Sequence, residues 1–460
     1  MDKTVEQLAE FASRIRYEEI REAALHSAKR SIIDSLGCAL GAFEEEAMKA
    51  LRRLATRVQA TAPATILGTD TKTSPEWATF VNGSMIRYTD FSDDYFGTES
   101  TTARGDVGPH PSDNLGGVFA AAEVSGCDGK SVLLGVVIAY EVCGQFADEV
   151  PLRSNGWDYT AFHAIATSLA AGRLLGLDNA TLAHAVRLAV TPNISLYETR
   201  IGELSHWKGL AGANASRNGL FAAQLAGEGI TGPKLAFEGR RGFMRQVGVP
   251  FRLGSFGGGD RPFRIESTYF KSMPIRYEAQ TAVELALQLH QTLPYDQIDS
   301  LKVHMRPRSM ATREEEPTHW DPMTRETADH SCPFLIGVAL VDGKISHVTF
   351  TEKRFRDTAV LALLDRIEMV PDIGLADIFP WRMTARFEVK LKSGETKTFE
   401  HENPKGHPQN SLTDAELEDK FFGQTSGLLP RDKGRAILDH VWSLERAESL
   451  EALLQLVVVP

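Results

Sequence analysis

Three carboxylates, Asp90, Asp93 and Asp94, lie within five residues of one another. Carboxylates this close repel each other, and one of them can be held protonated near neutral pH, which suits a general acid or base. Asp90 and Asp94 are four residues apart and would share one face if this segment were helical. Two other interpretations stay open, because carboxylates are also preferred ligands of Mg²⁺ and a solvated acidic loop has the same composition.

Two histidines stand at positions where they could take part in acid/base chemistry. His110 lies in a cluster of polar and turn-forming residues just before a helix predicted over residues 117–124. Backbone N–H groups and the dipole at a helix N-terminus favour an anion, such as a substrate carboxylate. His163 lies on an Ala-, Ile- and Leu-rich helix predicted over residues 160–175. For both histidines a purely structural role is the alternative.

Two lysines could bind a carboxylate. Lys208 is predicted in a loop rich in glycine and alanine, where small neighbours allow close approach and the ammonium group offers a compact cation. Lys271 lies at the start of a predicted α/β module, where it could clamp a substrate between two domains. A surface lysine is the alternative at both positions. The segment 329–334 is either the edge of a pocket or a simple helix start.

Several kinds of chemistry lose support from the sequence. The four cysteines stand far apart and form neither a C-x-x-C pair nor an iron–sulfur pattern, which is typical of a reduced cytosolic protein. The sequence has no G-x-S-x-G elbow, HExxH motif, Walker loop or dinucleotide fingerprint, so serine hydrolysis, ATP chemistry and hydride transfer are disfavoured.

Composition and charge also limit the classes of partner that the protein can bind. The 460 residues include 50 Lys+Arg and 61 Asp+Glu, a net charge of -11, which argues against a nucleic-acid-binding face but allows a local basic pocket. The first residues have an amphipathic helical pattern rather than an apolar signal core. No run approaches the roughly 20 apolar residues that span a membrane. We therefore expect a cytoplasmic protein without a nucleic-acid or membrane partner.

The elements that must position these residues fall into two kinds. Residues 1 to about 265 are predicted to be mostly helical, because Ala- and Leu-rich segments such as 214–227 recur at helical spacing and are cut by Gly or Pro. The glycines at 257–259 lack the strand-to-helix context of a phosphate loop, and we interpret them as a flexible loop, with a ligand loop as the alternative. The tail, residues 412–454, is predicted to be helical again.

Between these parts the pattern is mixed. Residues 298–305 and 386–392 alternate as strands, and 396–399 could return as the hairpin partner after a Ser-Gly turn. Helices are predicted over residues 279–289 and 358–367. The middle of the chain is therefore predicted to be a mixed α/β module.

Taken in their order along the chain, these segments resemble those of the 2-methylcitrate dehydratase (MmgE/PrpD) family, which also holds cis-aconitate decarboxylase and iminodisuccinate epimerase. The similarity spans nearly the whole chain, and the ordered set is more specific than any single motif. The matching text is Met85-Ile86-Arg87-Tyr88-Thr89-Asp90-Phe91-Ser92-Asp93, His110-Pro111-Ser112-Asp113-Asn114-Leu115-Gly116-Gly117, His163, Trp207-Lys208, Phe270-Lys271, Gln280-Thr281-Ala282-Val283-Glu284, Asp329-His330-Ser331 and Gly406-His407.

This resemblance implies a mainly α fold with an α+β part. A large all-helical domain is formed by both chain ends, residues 1–267 and 404–460, and a smaller α/β lid domain, residues 268–403, is inserted. The resemblance also implies a homodimer and a site without a metal ion, an iron–sulfur cluster or another cofactor.

The resemblance further implies which residues form the site. The implied catalytic residues are Asp90, His110, His163, Lys208 and Lys271. The implied substrate-binding residues are Arg87, Asp93, Asp94, Ser112, His330 and Phe334. Two positions depart from the family pattern, which often has Thr in place of Asp94 and Tyr in place of Phe334.

The function implied is that of a hydro-lyase that dehydrates 2-methylcitrate or a similar tricarboxylate in propionate catabolism. A cis-aconitate-type decarboxylase and an epimerase of an iminodisuccinate-like dicarboxylate are alternatives within the family, because both also move a proton beside a carboxylate. A non-catalytic carboxylate-binding protein and a dimeric scaffold are alternatives of another class.

Overall fold

The computed structural model describes residues 2–97, 108–310 and 312–460, and it is mainly helical with small β-sheets. In chain order the helices are α1 (Lys3–Arg14), α2 (Glu22–Gly41), α3 (Glu46–Ala55), α4 (Pro75–Arg87), α5 (Leu115–Val124), α6 (Gly129–Glu149), α7 (Ala161–Leu174), α8 (Asn179–Val190), α9 (Trp207–Gly227), α10 (Phe243–Gln246), α11 (Gln280–Thr292), α12 (Arg325–Ala328), α13 (Cys332–Asp342), α14 (His347–Thr351), α15 (Thr358–Leu364), α16 (Gly374–Asp377), α17 (Asp414–Thr425), α18 (Arg431–Trp442) and α19 (Glu451–Leu456). The strands are β1 (Ala64–Thr65), β2 (Lys72–Thr73), β3 (Trp157–Asp158), β4 (Ser195–Leu196), β5 (Ile298–Met305), β6 (Ile367–Pro371), β7 (Ala385–Leu391) and β8 (Thr396–His401).

The chain divides into two compact units. The first, which we call the helical unit, comprises Met1–Glu198, Gly209–Thr268 and Thr413–Pro460. The second, which we call the α/β unit, comprises Thr199–Lys208 and Tyr269–Leu412.

These bounds differ from the predicted domain boundaries in two segments and at Thr268, which lies in the helical unit. Residues 404–412 lie in the α/β unit, where the backbone N–H of Phe270 donates to the carbonyl of Gly406 at 3.0 Å. Residues 199–208 lie there too, because the N–H of Leu204 donates to a threonine hydroxyl of α12 at 2.9 Å. Hydrogen bonds between segments so distant in sequence have no periodic signature that would reveal them.

Helix α6 forms the centre of the helical unit. It packs against α7, while α4 packs against α5. By length and composition α6 could cross a membrane, but 94% of its apolar window is buried inside the protein. That burial is typical of a core helix.

Two glycines at the start of α5 let the neighbouring helices approach closely. A Cβ at Gly116 would lie 2.6 Å from the carbonyl oxygen of Thr79 in α4, and a Cβ at Gly117 would lie 2.4 Å from the methyl group of Thr167 in α7. Both distances are far below van der Waals contact. These glycines therefore fix the start of α5 between α4 and α7.

The α/β unit contains a four-stranded sheet in the order β6-β5-β7-β8. Strand β5 is parallel to β6 and antiparallel to β7, and β7 and β8 form the predicted hairpin. The predicted strand at Ile298–Met305 is confirmed with the same bounds. Alternate residues of β7, including Phe387 and Val389, are fully buried in one core with residues of α11 and α13.

Most of the predicted helices are confirmed, with one correction in this unit. The helix predicted over residues 358–367 ends at Leu364, and the residues from Ile367 begin strand β6. Ile367 and Met369 are buried while Glu368 between them is exposed, which is the alternation of a strand. Pairing with β5 therefore overrides the helical pattern of the preceding segment.

Candidate active site

The acidic segment begins where helix α4 ends. Residues 88–97 are not helical, so the condition under which Asp90 and Asp94 would share a helix face is not met. The chain leaves the helix because Asp90 has φ 53°, a left-handed conformation that aspartate tolerates better than most residues. The Asp90 carboxylate pairs with the guanidinium group of Arg87, and both side chains are buried. Burial opposes the charge of Arg87, but Asp90, Tyr159 and Asp113 together outweigh it and raise the pKa of Arg87 above its ordinary value, so this arginine stays cationic.

The carboxylate of Asp93 is held by two neutral groups. The hydroxyl of Tyr140 donates to Oδ2 at 2.7 Å, and the backbone N–H of Ser112 donates to Oδ1 at 3.2 Å. Burial raises the pKa of Asp93 to about 6, and these hydrogen bonds act in the opposite direction. Ser112 lies in the 3₁₀ turn Pro111–Asn114 that leads into α5. The anion expected near the start of this helix is therefore the protein's own carboxylate.

His110 is buried and oriented by the acidic segment. Its Nδ1 lies within hydrogen-bond distance of the backbone carbonyl oxygen of Asp93. Because a carbonyl oxygen only accepts, Nδ1 carries the proton of the neutral ring, and Nε2 is the nitrogen that can take up or give a proton. Nε2 lies 3.8 Å from Oδ2 of Asp94. The prediction that His110 directly precedes a helical segment is confirmed.

His163 lies inside a polar network on α7. Its side chain is fully buried, with Nε2 at 3.4 Å from Oδ2 of Asp113 and Nδ1 at 3.2 Å from the amide nitrogen of Asn114. The amide oxygen of Asn114 accepts from the hydroxyl of Thr167 at 2.8 Å, so the amide nitrogen is the group that donates to Nδ1. Protein groups therefore face both ring nitrogens, which is typical of a residue that positions its neighbours.

Two further helices fix the acidic segment in place. Lys420 of α17 donates to the backbone carbonyl of Phe91 at 2.8 Å and pairs with Asp34 at 2.6 Å. The hydroxyl of Tyr95 donates to Asp148 of α6 at 3.1 Å. The segment is thus held by charged side chains that come from distant parts of the sequence.

The α/β unit contains a cluster of basic side chains around a buried carboxylate. Lys208 lies in the first turn of α9 rather than in the predicted loop. Its Nζ is 3.3 Å from Nδ1 of His330 and 3.6 Å from Oδ1 of Asp329, and Arg325 is 3.9 Å from the other oxygen of Asp329. Two basic side chains therefore lie around the buried carboxylate of Asp329.

The two remaining predicted residues of this unit are both fully buried. Lys271 lies directly after Phe270, whose backbone bonds to Gly406. Phe334 is part of the hydrophobic core of the α/β unit, where its ring meets the ring of Phe355 edge-on at 6.4 Å. Phe334 is therefore a packing residue of this core, and its contact with substrate stays a prediction.

Three polar residues join these networks without having been predicted as site residues. Tyr140 lies in an apolar run of α6, where only the need of a buried tyrosine hydroxyl for a partner could have marked it. Asp113 and Asn114 stand beside the predicted Ser112, and the polar cluster before the helix was their only signal. The protein therefore has two compact units. Its buried networks contain the residue types that a proton-transfer site needs.

Comparison with known families identifies the chain. The MmgE/PrpD N-terminal domain matches residues 6–253, and the MmgE/PrpD C-terminal domain matches residues 273–446. The chain therefore belongs to the MmgE/PrpD family, as the order of its motifs predicts.

The chain is similar to enzymes along nearly its whole length. It is 27% identical over 478 residues to the mitochondrial 2-methylcitrate dehydratase of Yarrowia lipolytica, covering 95% of this chain and 86% of that protein. It is 28% identical over 471 residues to the 2-methylcitrate dehydratase of Escherichia coli O157:H7, covering 94% and 92%. It is 23% identical over 468 residues to the cis-aconitate decarboxylase of Homo sapiens, covering 97% and 92%. These names support a dehydratase function at the level of the family.

Proposed function

We propose that this protein is a metal-independent hydro-lyase that removes water from 2-methylcitrate or a similar tricarboxylate and forms an aconitate-type product. The names of its relatives support the reaction class. The structural observation that supports it is the buried His110, whose Nδ1 is tied to a backbone carbonyl and whose Nε2 lies beside Asp94. A histidine held in this way has one nitrogen committed to position and one available for proton exchange.

The reaction needs two proton transfers. A base takes the proton from the carbon beside a carboxylate, the C–O bond breaks as the C=C bond forms, and an acid protonates the departing hydroxide to give water. We assign these transfers to His110 and Asp90. His163 supports them by position, because Asp113 and Asn114 hold both of its nitrogens.

The substrate carboxylates are anionic before the C–H bond breaks, so placed cations bind the substrate as well as the charge that builds on a carboxylate in the transition state. We assign this role to Lys208, which lies with Arg325 around the Asp329 carboxylate, and to His330 beside it. Lys271 is assigned a second carboxylate contact on the family resemblance. Arg87, which Asp90 keeps cationic, orients the carboxylate of Asp90 and not the substrate.

The direct test is mixing chelator-treated enzyme with 2-methylcitrate and, separately, with citrate, while following the ultraviolet absorbance of a conjugated aconitate-type product. A rise with 2-methylcitrate supports the proposal. Release of CO₂ from cis-aconitate without any dehydration would replace it with a decarboxylase. Interconversion of dicarboxylate stereoisomers would replace it with an epimerase. Calorimetric binding of these carboxylates without turnover would replace it with a binding protein.

The proposal includes a cytoplasmic homodimer that acts in propionate catabolism. Light scattering of the purified protein tests the dimer. Loss of growth on propionate after deletion of the gene tests the pathway. Cell fractionation tests the location.

A further inference from the structure

Helix α6 contributes a buried tyrosine that contacts Asp93, next to the candidate acid/base residues. Tyr140 is 1% exposed, and its hydroxyl donates to Oδ2 of Asp93 at 2.7 Å. The other oxygen of this carboxylate accepts the backbone N–H of Ser112. A hydrogen bond to a carboxylate is stronger than one between neutral groups, so the tyrosine contributes strongly to the orientation of Asp93.

Asp93 in turn forms hydrogen bonds with two residues of the segment that contains His110. Its backbone carbonyl accepts from Nδ1 of His110, and its carboxylate accepts from the backbone of Ser112, two residues further on. A shift of Asp93 would therefore move both the hydrogen-bond partner of the ring and the backbone beside it. Tyr140 lies on α6, in neither the segment of Asp93 nor that of His110, and its hydroxyl group holds the carboxylate of Asp93.

We propose that Tyr140 is a positioning residue that acts through Asp93 to fix the orientation and the Nδ1–H tautomer of His110, so that Nε2 exchanges the proton in the reaction. The role in turnover rests on the proposed function. The tautomer follows from the carbonyl oxygen of Asp93, which accepts a hydrogen bond and cannot donate one. A tyrosine that merely filled space would be replaced by phenylalanine without consequence for His110.

The charges around Asp93 set the expected pH behaviour. Burial is the largest cause of its raised pKa, and the carboxylate of Asp34, which pairs with Lys420, adds to it. The tyrosine hydroxyl stabilises the ionised form, so its removal raises the pKa of Asp93 further. Asp94 faces the other side of the His110 ring. If turnover needs Asp93 ionised, the acidic limb of the pH–rate profile moves to higher pH in Tyr140→Phe.

The kinetic test compares Tyr140→Phe, Asp93→Asn and the double variant. We expect kcat of Tyr140→Phe to fall roughly 10-fold with little change in KM, because a misplaced catalytic group slows the chemical step. The double variant should be no slower than Asp93→Asn, since the tyrosine acts through that aspartate. Tyr17→Phe, the same change at a half-buried tyrosine of another segment, is the control. Wild-type kcat and pH profile in Tyr140→Phe, or losses that simply add, would overturn the proposal.

A second measurement does not depend on the substrate. Long-range ¹H–¹⁵N spectra of protein labelled at histidine, with His110→Gln for assignment, report the tautomer directly. We expect the Nδ1–H form in the wild type and a mixture of both forms in Tyr140→Phe, with thermal unfolding confirming that both are folded. A single Nδ1–H form in the variant, or an Nε2–H form in the wild type, would refute the role of Tyr140. Absence of turnover with every carboxylate would refute the proposed function alone and leave this measurement decisive.

Discussion

Asp93 and His110 in the helical unit and Lys208 in the α/β unit are held by different means. In the helical unit, Asp93 and His110 are held by neutral groups: a hydroxyl, a backbone N–H and a backbone carbonyl. In the α/β unit, Lys208 lies beside the carboxylate of Asp329 and the imidazole of His330. The first arrangement relies on position, and the second relies on charge.

This difference separates two tasks. Neutral partners fix a side chain without fully compensating its charge, so burial can bring the pKa of Asp93 to about 6, close to the range where protons are exchanged. A carboxylate partner instead favours the charged form of a lysine. We therefore expect substitutions in the helical unit to change mainly kcat, and substitutions in the cluster around Lys208 to change mainly KM.

The largest expected effect is that of His110→Ala. Loss of a general acid or base typically costs about 10²-fold or more in kcat, and we expect KM to change little. Steady-state kinetics with the substrate found in the absorbance assay measure both constants. His440→Ala, at a half-buried histidine of α18, is the matched control. Near-normal turnover in a well-folded His110→Ala protein would remove this residue from the mechanism.

Lys208→Met tests the other half of the comparison. A hydrogen bond to a charged group contributes roughly 1.5–3 kcal/mol, so KM should rise about 10- to 100-fold while kcat is mostly kept. Lys344→Met, at an exposed lysine of the same unit, is the control. Reduced kcat with unchanged KM would mean that Lys208 acts only in the transition state, and the division of tasks between the units would fail.

Gly212→Ala asks whether packing sets the position of the His163 network. A Cβ at Gly212 would lie 1.9 Å from Oδ2 of Asp113, which itself faces His163. We expect a loss of roughly 1–3 kcal/mol in the free energy of unfolding, as for other overpacked sites, together with reduced kcat. Chemical denaturation and kinetics measure the two effects.

The same substitution at Gly423 is its control. A Cβ there meets no neighbouring group within 4 Å among the residues that the structure describes, and Gly423 lies inside helix α17. Gly423→Ala should therefore stabilise the protein by about 0.5–1 kcal/mol. Equal tolerance of both substitutions would show that Asp113 can move, and that packing does not set the network.

Elements with a strong period could be predicted from the sequence. The alternation of Ile298–Met305 gives a strand with the observed bounds, and the Ser-Gly turn gives the hairpin of β7 and β8. The polar cluster before residue 117 places His110 correctly ahead of α5. In each case the deciding interaction lies within a few residues of the chain.

Features that depend on distant partners could not be predicted. Strand β6 pairs with β5, which is about sixty residues earlier in the sequence, and the five residues of β6 are too few to show a strand period by themselves. Asp90 has a left-handed backbone conformation and pairs with the buried Arg87, and neither feature has a signal in the sequence pattern. Tyr140 reaches Asp93 across 47 positions of sequence, and no spacing rule connects a core tyrosine with an acidic loop.

The last expected effect, on stability alone and not on turnover, is the pH dependence of unfolding, tested with Asp93→Asn. Burial raises the pKa of Asp93 from 3.8 to about 6, so between these values the folded protein binds more protons at this group than the unfolded chain does. The stability that this group contributes is therefore present below pH 3.8 and lost as the pH rises through about 6. The loss is at most about 1.4 kcal/mol per pH unit, and Asn, which does not ionise, should remove it. Urea denaturation of both proteins across this window gives the difference directly. Parallel stability curves would mean that the pKa of Asp93 is ordinary, and neutral partners would then no longer distinguish the helical unit as the place of proton transfer.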